Sequence, residues 1–175
     1  GSSQRNNISQ IRCQFKDAES VELAKIFNPP FILNSSVISK TIRESITKKG
    51  KKMLLFEGGK TNSIEESIVE EGLNGVKRVL QHLGMRSFKI DISKDREAIL
   101  LQQSKWMRSP NSGMFRATIK NGSKVIRGET IGVVTDPYGK IERNIKAASD
   151  GYVICLNESP VVYKGDAIFH IGTEI

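Results

Sequence analysis

The stretch MLLFEGGKTNS, Met53 to Ser63, sets a carboxylate, two glycines and a Gly-Lys-Thr at the end of an apolar run. Three chemistries compete for it: a phosphate-binding loop, a catalytic glutamate at a strand end, or a plain turn. Gly59-Lys60-Thr61 supplies the last residues of a phosphate loop, which needs a further glycine five positions before Gly59 so that the backbone can curl around phosphate. Leu54 stands there, inside the apolar run, so that reading fails. That leaves Glu57 as a catalytic candidate, beside the plain reading in which it tops the strand and meets solvent or a lysine. A carboxylate at the C-terminal end of a strand lies where open parallel sheets bind ligands, and among apolar neighbours it can act as general base or acid. Gly58 and Gly59 would let the backbone turn or approach a ligand closely.

Other reactive types are sparse. The two histidines, His82 and His170, lie far apart and neither belongs to an HxxE or HExxH pair, so both read as structural, because zinc wants clustered ligands. Cys13 and Cys155 form no CxxC pair, which suits a reducing cytoplasm. No Ser-His-Asp or Cys-His set can be argued from spacing.

The elements that must carry Glu57 follow from periodicity. Gln10 to Phe15 reads as a strand, Ala18 to Phe27 as a helix stopped by Pro29 and Pro30, and Phe31 to Leu33 as a short buried strand. Thr41 to Lys49 predicts a helix ended by Gly50, and Lys52 to Phe56 the strand that presents Glu57. Ser63 and Glu66 have capping-box spacing and open a long helix with Ile64, Ile68, Val76, Val79 and Leu83 on one face, ended by Gly84. Alternating strands and helices predict an α/β architecture with a mostly parallel sheet. After about Ser93, short strands recur between turns such as KNGSK, DPYGK and YKGD, at 115–119, 130–134, 152–156 and 167–171. That spacing predicts a small all-β sandwich or barrel. Two domains are expected, residues 1–95 and 96–175, with the junction near 93–98.

The chain has 175 residues and a formal charge of +8, so its surface favours anions. The cations are scattered rather than interleaved with aromatics, which argues against a nucleic-acid partner. Only Lys48, Lys49, Lys51 and Lys52 cluster, at a helix C-terminus where cations are favoured anyway. No apolar run approaches the roughly 20 residues that span a bilayer, and no membrane partner is expected.

The run KKMLLFEGGKTNSIEESIVEEGLNGVKRVLQHLGM resembles the C-terminal part of the catalytic domain of the succinylglutamate desuccinylase/aspartoacylase family. Those are zinc-dependent hydrolases of N-acyl amino acids with a zinc-carboxypeptidase-like fold. The resemblance implies that Glu57 takes the place of the glutamate that activates a zinc-bound water and carries its proton. Arg5 to Gln10 (RNNISQ) is similar to the family's Arg-x-Asn-x-Pro-Gln segment, with Ser9 in place of proline, which implies that Arg5 and Asn7 bind a substrate carboxylate. Arg43, in SKTIRESI, matches an arginine that precedes the glutamate strand in relatives.

The family's zinc-binding HxxE pair and later histidine would lie before Arg5. The resemblance therefore implies a fragment of a cytoplasmic hydrolase whose zinc ligands are upstream, so that this chain alone holds no catalytic zinc. The β domain resembles the family's C-terminal domain, itself similar to biotinyl/lipoyl domains through turns such as VIRGETIG and VVYKGDAIFHIG. It would cap the site or form a homo-oligomer. The alternative is a non-catalytic carrier or interaction module. Lys140 precedes Gly151 by about the carrier interval, but it lacks a Met-Lys-Met or Asp-Lys-Ala setting.

Overall fold

The computed structural model describes residues 4–90 and 96–174, so the expected junction near 93–98 falls largely outside the described residues. The chain divides into two compact units that interleave along the sequence: residues 9–58 with 64–103, and residues 1–8 and 59–63 with 104–175.

The first of these is an α/β unit. Its strands are β1 (Arg5–Cys13), β2 (Phe31–Asn34), β3 (Leu55–Lys60) and β4 (Ile99–Leu101), and its helices α1 (Ala18–Phe27), α2 (Ile42–Lys48) and α3 (Glu66–His82). β2 runs parallel to β1, with Gln10 opposite Phe31, and β4 runs parallel to β2; β3 pairs with β1. Ile11, Cys13, Ala24, Phe27 and Ile32 form the core, and Phe56 and Val79 pack against it. Full burial of Ile11, Phe27 and Ile32 contributes about 1.5–3 kcal/mol each. α1 stops at Asn28, whose left-handed backbone (φ 65°) lets its N–H reach the Lys25 carbonyl before the two prolines. Thr41 caps α2 by accepting from the Glu44 N–H, while the Glu44 carboxylate accepts from the Lys40 N–H.

The second unit is built from β5 (Gln103–Arg108), β6 (Gly113–Ala117), β7 (Lys124–Val125), β8 (Thr130–Thr135), β9 (Glu142–Lys146), β10 (Gly151–Asn157), β11 (Val161–Val162) and β12 (Ala167–Thr173). β11, β6, β8 and β9 form one antiparallel sheet, and β10 pairs antiparallel with β12 and β7. Arg5 to Asn7 of β1 lie antiparallel to β10. Phe115, Ile131, Ile145, Ile168 and Phe169 are among its core residues, and Phe115 meets Phe169 edge-on at 5.6 Å.

The structure makes four corrections. The sheet is mixed rather than mostly parallel, because β1 has a parallel partner along Gln10–Cys13 and an antiparallel one along Arg5–Asn7. β3 extends through Gly58 and Gly59 to Lys60, so Glu57 sits inside a strand and the turn falls at Thr61–Asn62. The Ser63–Glu66 capping box does not form; α3 starts at Glu66 behind Glu65, with no side-chain cap. Finally, the face of α3 turned to the sheet is the expected one only in part. Ile68, Gly72, Gly75 and Val79 face inward, whereas Val76 and Leu83 are 50% and 55% exposed and Ile64, before the helix, is 89% exposed.

The glycines explain that inward face. A Cβ on Gly72 would lie 3.1 Å from the Phe56 ring, and one on Gly75 only 2.2 Å from Phe27. The helix therefore settles directly on two phenylalanines whose rings are tilted by 34° with centroids 5.2 Å apart. Alanine at an interior helical glycine ordinarily stabilises by about 1 kcal/mol. Here Gly75→Ala is expected to destabilise by about 1–3 kcal/mol, because the buried Phe27 ring has to leave its position. Urea denaturation reads this as a lowered midpoint at unchanged slope.

Candidate functional site

Strand alternation decides which way Glu57 points. Phe56 packs with the core, and a Cβ on Gly58 would meet Ile68 at 2.9 Å and Ser9 Oγ at 3.1 Å, so both neighbours face the α3 side. Glu57 faces the opposite side of the sheet. In β1 the same alternation sends Ile11 and Cys13 into the core and turns Arg12 away from it. The two side chains meet there: Arg12 Nη2 donates to Glu57 Oε2 at 3.0 Å, with the side chains 21% and 32% exposed. Among the described residues no other side chain hydrogen-bonds this carboxylate. One oxygen is thus fixed and the other remains available to a proton donor.

The paired glycines act on this placement in different ways. Gly58 allows the close approach of β3 to Ser9 and α3, and Gly59 adopts a left-handed backbone (φ 76°) that side chains resist. Any larger residue at 58 would push Ile68 or Ser9 and move its neighbour Glu57.

Arg43 is committed to the backbone. Its Nη2 donates to the Ser35 carbonyl at 2.8 Å and the Ser36 carbonyl at 3.0 Å, and its Nη1 to Ser35 Oγ at 3.3 Å. It lines a cavity of about 130 Å³ with Cys13, Asp17, Ser20, Thr47 and Met53. Burial, helped by the charge of Asp17 and opposed by that of Arg43, pushes the Cys13 thiol up to about 11 from its ordinary 9.0. The thiolate needed for nucleophilic chemistry is therefore suppressed.

Neither Cys13 nor Cys155 forms a disulfide, and both are buried. DTNB at pH 8 is expected to find no reactive thiol until the chain unfolds. Folding keeps the Cys13 proton bound above the unfolded pKa, so its contribution to stability is complete below pH 9 and is lost as pH rises towards about 11.

Arg5 and Asn7 belong to the second unit. The Arg5 guanidinium lies over the Trp106 ring, 4.7 Å from its centroid, and Trp106 in turn stacks on His170 at 4.4 Å and 8°. Asn7 is buried in β1 opposite Cys155. The structure thus brings Glu57 together with Arg12, which sequence reasoning passed over. The available signal was an arginine alternating with apolar residues in QIRCQF, where a lone cation on a half-buried strand calls for an anion. His82 closes α3 and His170 lies in β12. Among the described residues no three His, Cys, Asp or Glu side chains come together as a metal site. Lys140 is exposed in the turn between β8 and β9. No helix among the described residues is long and apolar enough to cross a membrane.

No family model and no curated protein matches the chain. Solved structures do. The ectoine utilization protein EutE (DoeB) from Ruegeria pomeroyi superposes with a TM-score of 0.84 at 18% identity, covering 97% of this chain and 56% of that one. A succinylglutamate desuccinylase from Silicibacter sp. gives 0.80 at 19%, covering 97% and 54%. A succinylglutamate desuccinylase/aspartoacylase from Rhodobacter sphaeroides gives 0.83 at 18%, covering 98% and 55%. The chain's structural neighbours are thus proteins of the succinylglutamate desuccinylase/aspartoacylase family, whose mixed α/β fold it shares. It spans about half of their length.

Proposed function

We propose that this chain is the glutamate-bearing part of a cytoplasmic hydrolase that deacylates an N-acyl amino acid or a similar small amide. The observation that carries the reading is the Glu57 carboxylate, turned away from the helix layer and held by Arg12 at 3.0 Å, in a fold otherwise found in deacylase-family structures. In hydrolysis, Glu57 takes a proton from the attacking water as its oxygen bonds to the acyl carbon. It then delivers that proton to the amide nitrogen as the C–N bond breaks, releasing the amine. Arg12 fixes one carboxylate oxygen so that the other faces the reacting water. Arg43 holds the substrate carboxylate in this reading, by the donors that Ser35 and Ser36 leave unused. The β domain is, in this reading, a barrel-sandwich of the biotinyl/lipoyl type.

Zinc is the cofactor this reading calls for, as an activator of water. The described residues do not form a set that fits it. The test is hydrolysis. The complete protein is expected to release free amine from a panel of N-acetyl and N-succinyl amino acids, in a manner that depends on the Glu57 carboxylate. Release from none of them would end the deacylase reading.

A further inference from the structure

The parallel strands β1, β2 and β4 stop together, and a second cavity opens at their ends. Their register sets Cys13 beside Asn34 and Leu33 beside Leu101. Asn34, the last residue of β2, and Gln102, just past β4, are therefore next in line. The cavity there measures about 410 Å³ and is lined by Gln14, Phe15, Lys16, Asn34, Ser36 and Gln102. It lies wholly within the α/β unit and shares only Gln14 with the cavity that Arg43 lines. The carboxyl ends of parallel strands are where open α/β sheets take ligands, and this volume suits a small organic molecule.

The polar side chains around it are largely unspent. Asn34 Oδ1 accepts from the Phe15 N–H at 3.1 Å, which fixes the amide and leaves its Nδ2 as a donor. Lys16 is exposed and forms no ion pair among the described residues. Gln102 Oε1 is buried and accepts no hydrogen bond from any described residue. A buried acceptor left in that state costs free energy, and native structures supply such atoms with a donor. No carboxylate lines the cavity, and Phe15, which packs against the core, gives it an apolar wall.

We propose that this cavity binds a small hydroxycarboxylate. The Lys16 ammonium and the Asn34 Nδ2–H take the carboxylate, the hydroxyl donates to Gln102 Oε1, and the carbon chain lies along Phe15. A hydroxyl suits the Gln102 acceptor better than an ammonium, because no anion lines the cavity to offset a second positive charge beside Lys16. Ser36 also presents the carbonyl that holds Arg43 Nη2 at 3.0 Å, so the ligand rests against the loop that anchors that arginine. The site is formed by the ends of β1, β2 and β4 and needs neither Glu57 nor the deacylase reading.

Two matched probes test it: β-hydroxybutyrate, and butyrate, which lacks only the hydroxyl. Each is titrated into the complete protein, with affinity read by calorimetry and the site by backbone amide shifts in heavy-nitrogen samples. The hydroxylated probe is expected to bind about 2–12-fold more tightly, the range of one neutral hydrogen bond. It should move the amides of Lys16, Asn34, Ser36 and Gln102. Gln102→Met is expected to remove the preference while leaving butyrate within about twofold of its parent affinity. Lys16→Met should weaken both probes by about 2–5-fold, as for an exposed ion pair. Equal affinity for the two probes would overturn the proposal, and so would no binding at millimolar concentration. Binding that survives both substitutions, or shifts confined to Arg43 and its neighbours, would put the ligand elsewhere and overturn it as well. Should Gln102→Met fail to fold, the probe ratio and the shift map of the parent protein still decide.

Discussion

Glu57→Gln is expected to lower turnover of an N-acyl amino acid by about 10²–10⁴-fold in the complete enzyme, the usual contribution of a positioned general base. The substitution is close to isosteric, and its amide oxygen can still accept the hydrogen bond from Arg12 that the carboxylate oxygen accepts at 3.0 Å. What it removes is proton-accepting capacity. Stability should change little: an ion pair with side chains 21% and 32% exposed is largely screened and contributes about 0–1 kcal/mol. Loss of activity without loss of fold is therefore the informative combination, read from steady-state kinetics beside a melting curve. If hydrolysis persists within about threefold, Glu57 is not the base and the proton leaves by another group.

How much of this was legible in the sequence differs by level. Glu57 stood out because one acid follows four apolar residues and precedes two glycines, a local pattern that needs no tertiary information. Most elements were legible for the same reason: α1 was located at Ala18–Phe27, and the stops at Gly50 and Gly84 follow from glycines that tolerate a left-handed backbone, while the cap at Asn28 was read only as a stop by Pro29 and Pro30. The partner of Glu57 was not legible, because which β1 residue faces position 57 depends on pairing register between distant strands. That register is fixed by packing over the whole unit.

The phase of α3 was legible only in part, for a related reason. Ile68 and Val79 face inward as expected. Counting apolar side chains favoured Val76 and Leu83 as inward residues, yet the sheet selects the side where Gly72 and Gly75 leave room for Phe56 and Phe27. Absence of a side chain was the signal, and a hydrophobicity pattern cannot register it. The Ser63–Glu66 spacing misled in the opposite direction. It satisfies the capping pattern, but β3 runs on to Lys60 and the turn at Thr61–Asn62 leaves α3 to start later than a Ser63 cap requires.

Arg12 carries the other large effect. Removing its guanidinium in Arg12→Leu leaves a stem of comparable bulk on the strand but frees the Glu57 carboxylate to rotate into solvent. A reacting group displaced by about an ångström can cost about 10²-fold in rate, so kcat is expected to fall by about that factor. KM should stay within about twofold, because Arg12 is bonded to the proton carrier and not to substrate. That split separates positioning from the two rival roles. An arginine that clamps the substrate carboxylate would raise KM on removal, and one that merely supports the fold would lower the melting midpoint and leave kcat per folded molecule unchanged. Arg12→Lys keeps the charge but loses the planar fork that fixes one oxygen, so it should recover only part of the lost rate. A kcat for Arg12→Leu within twofold of the parent would show that Glu57 needs no partner to hold it. The carboxylate would then be oriented by the backbone of β3 alone, through the close approach that Gly58 permits to Ser9 and Ile68.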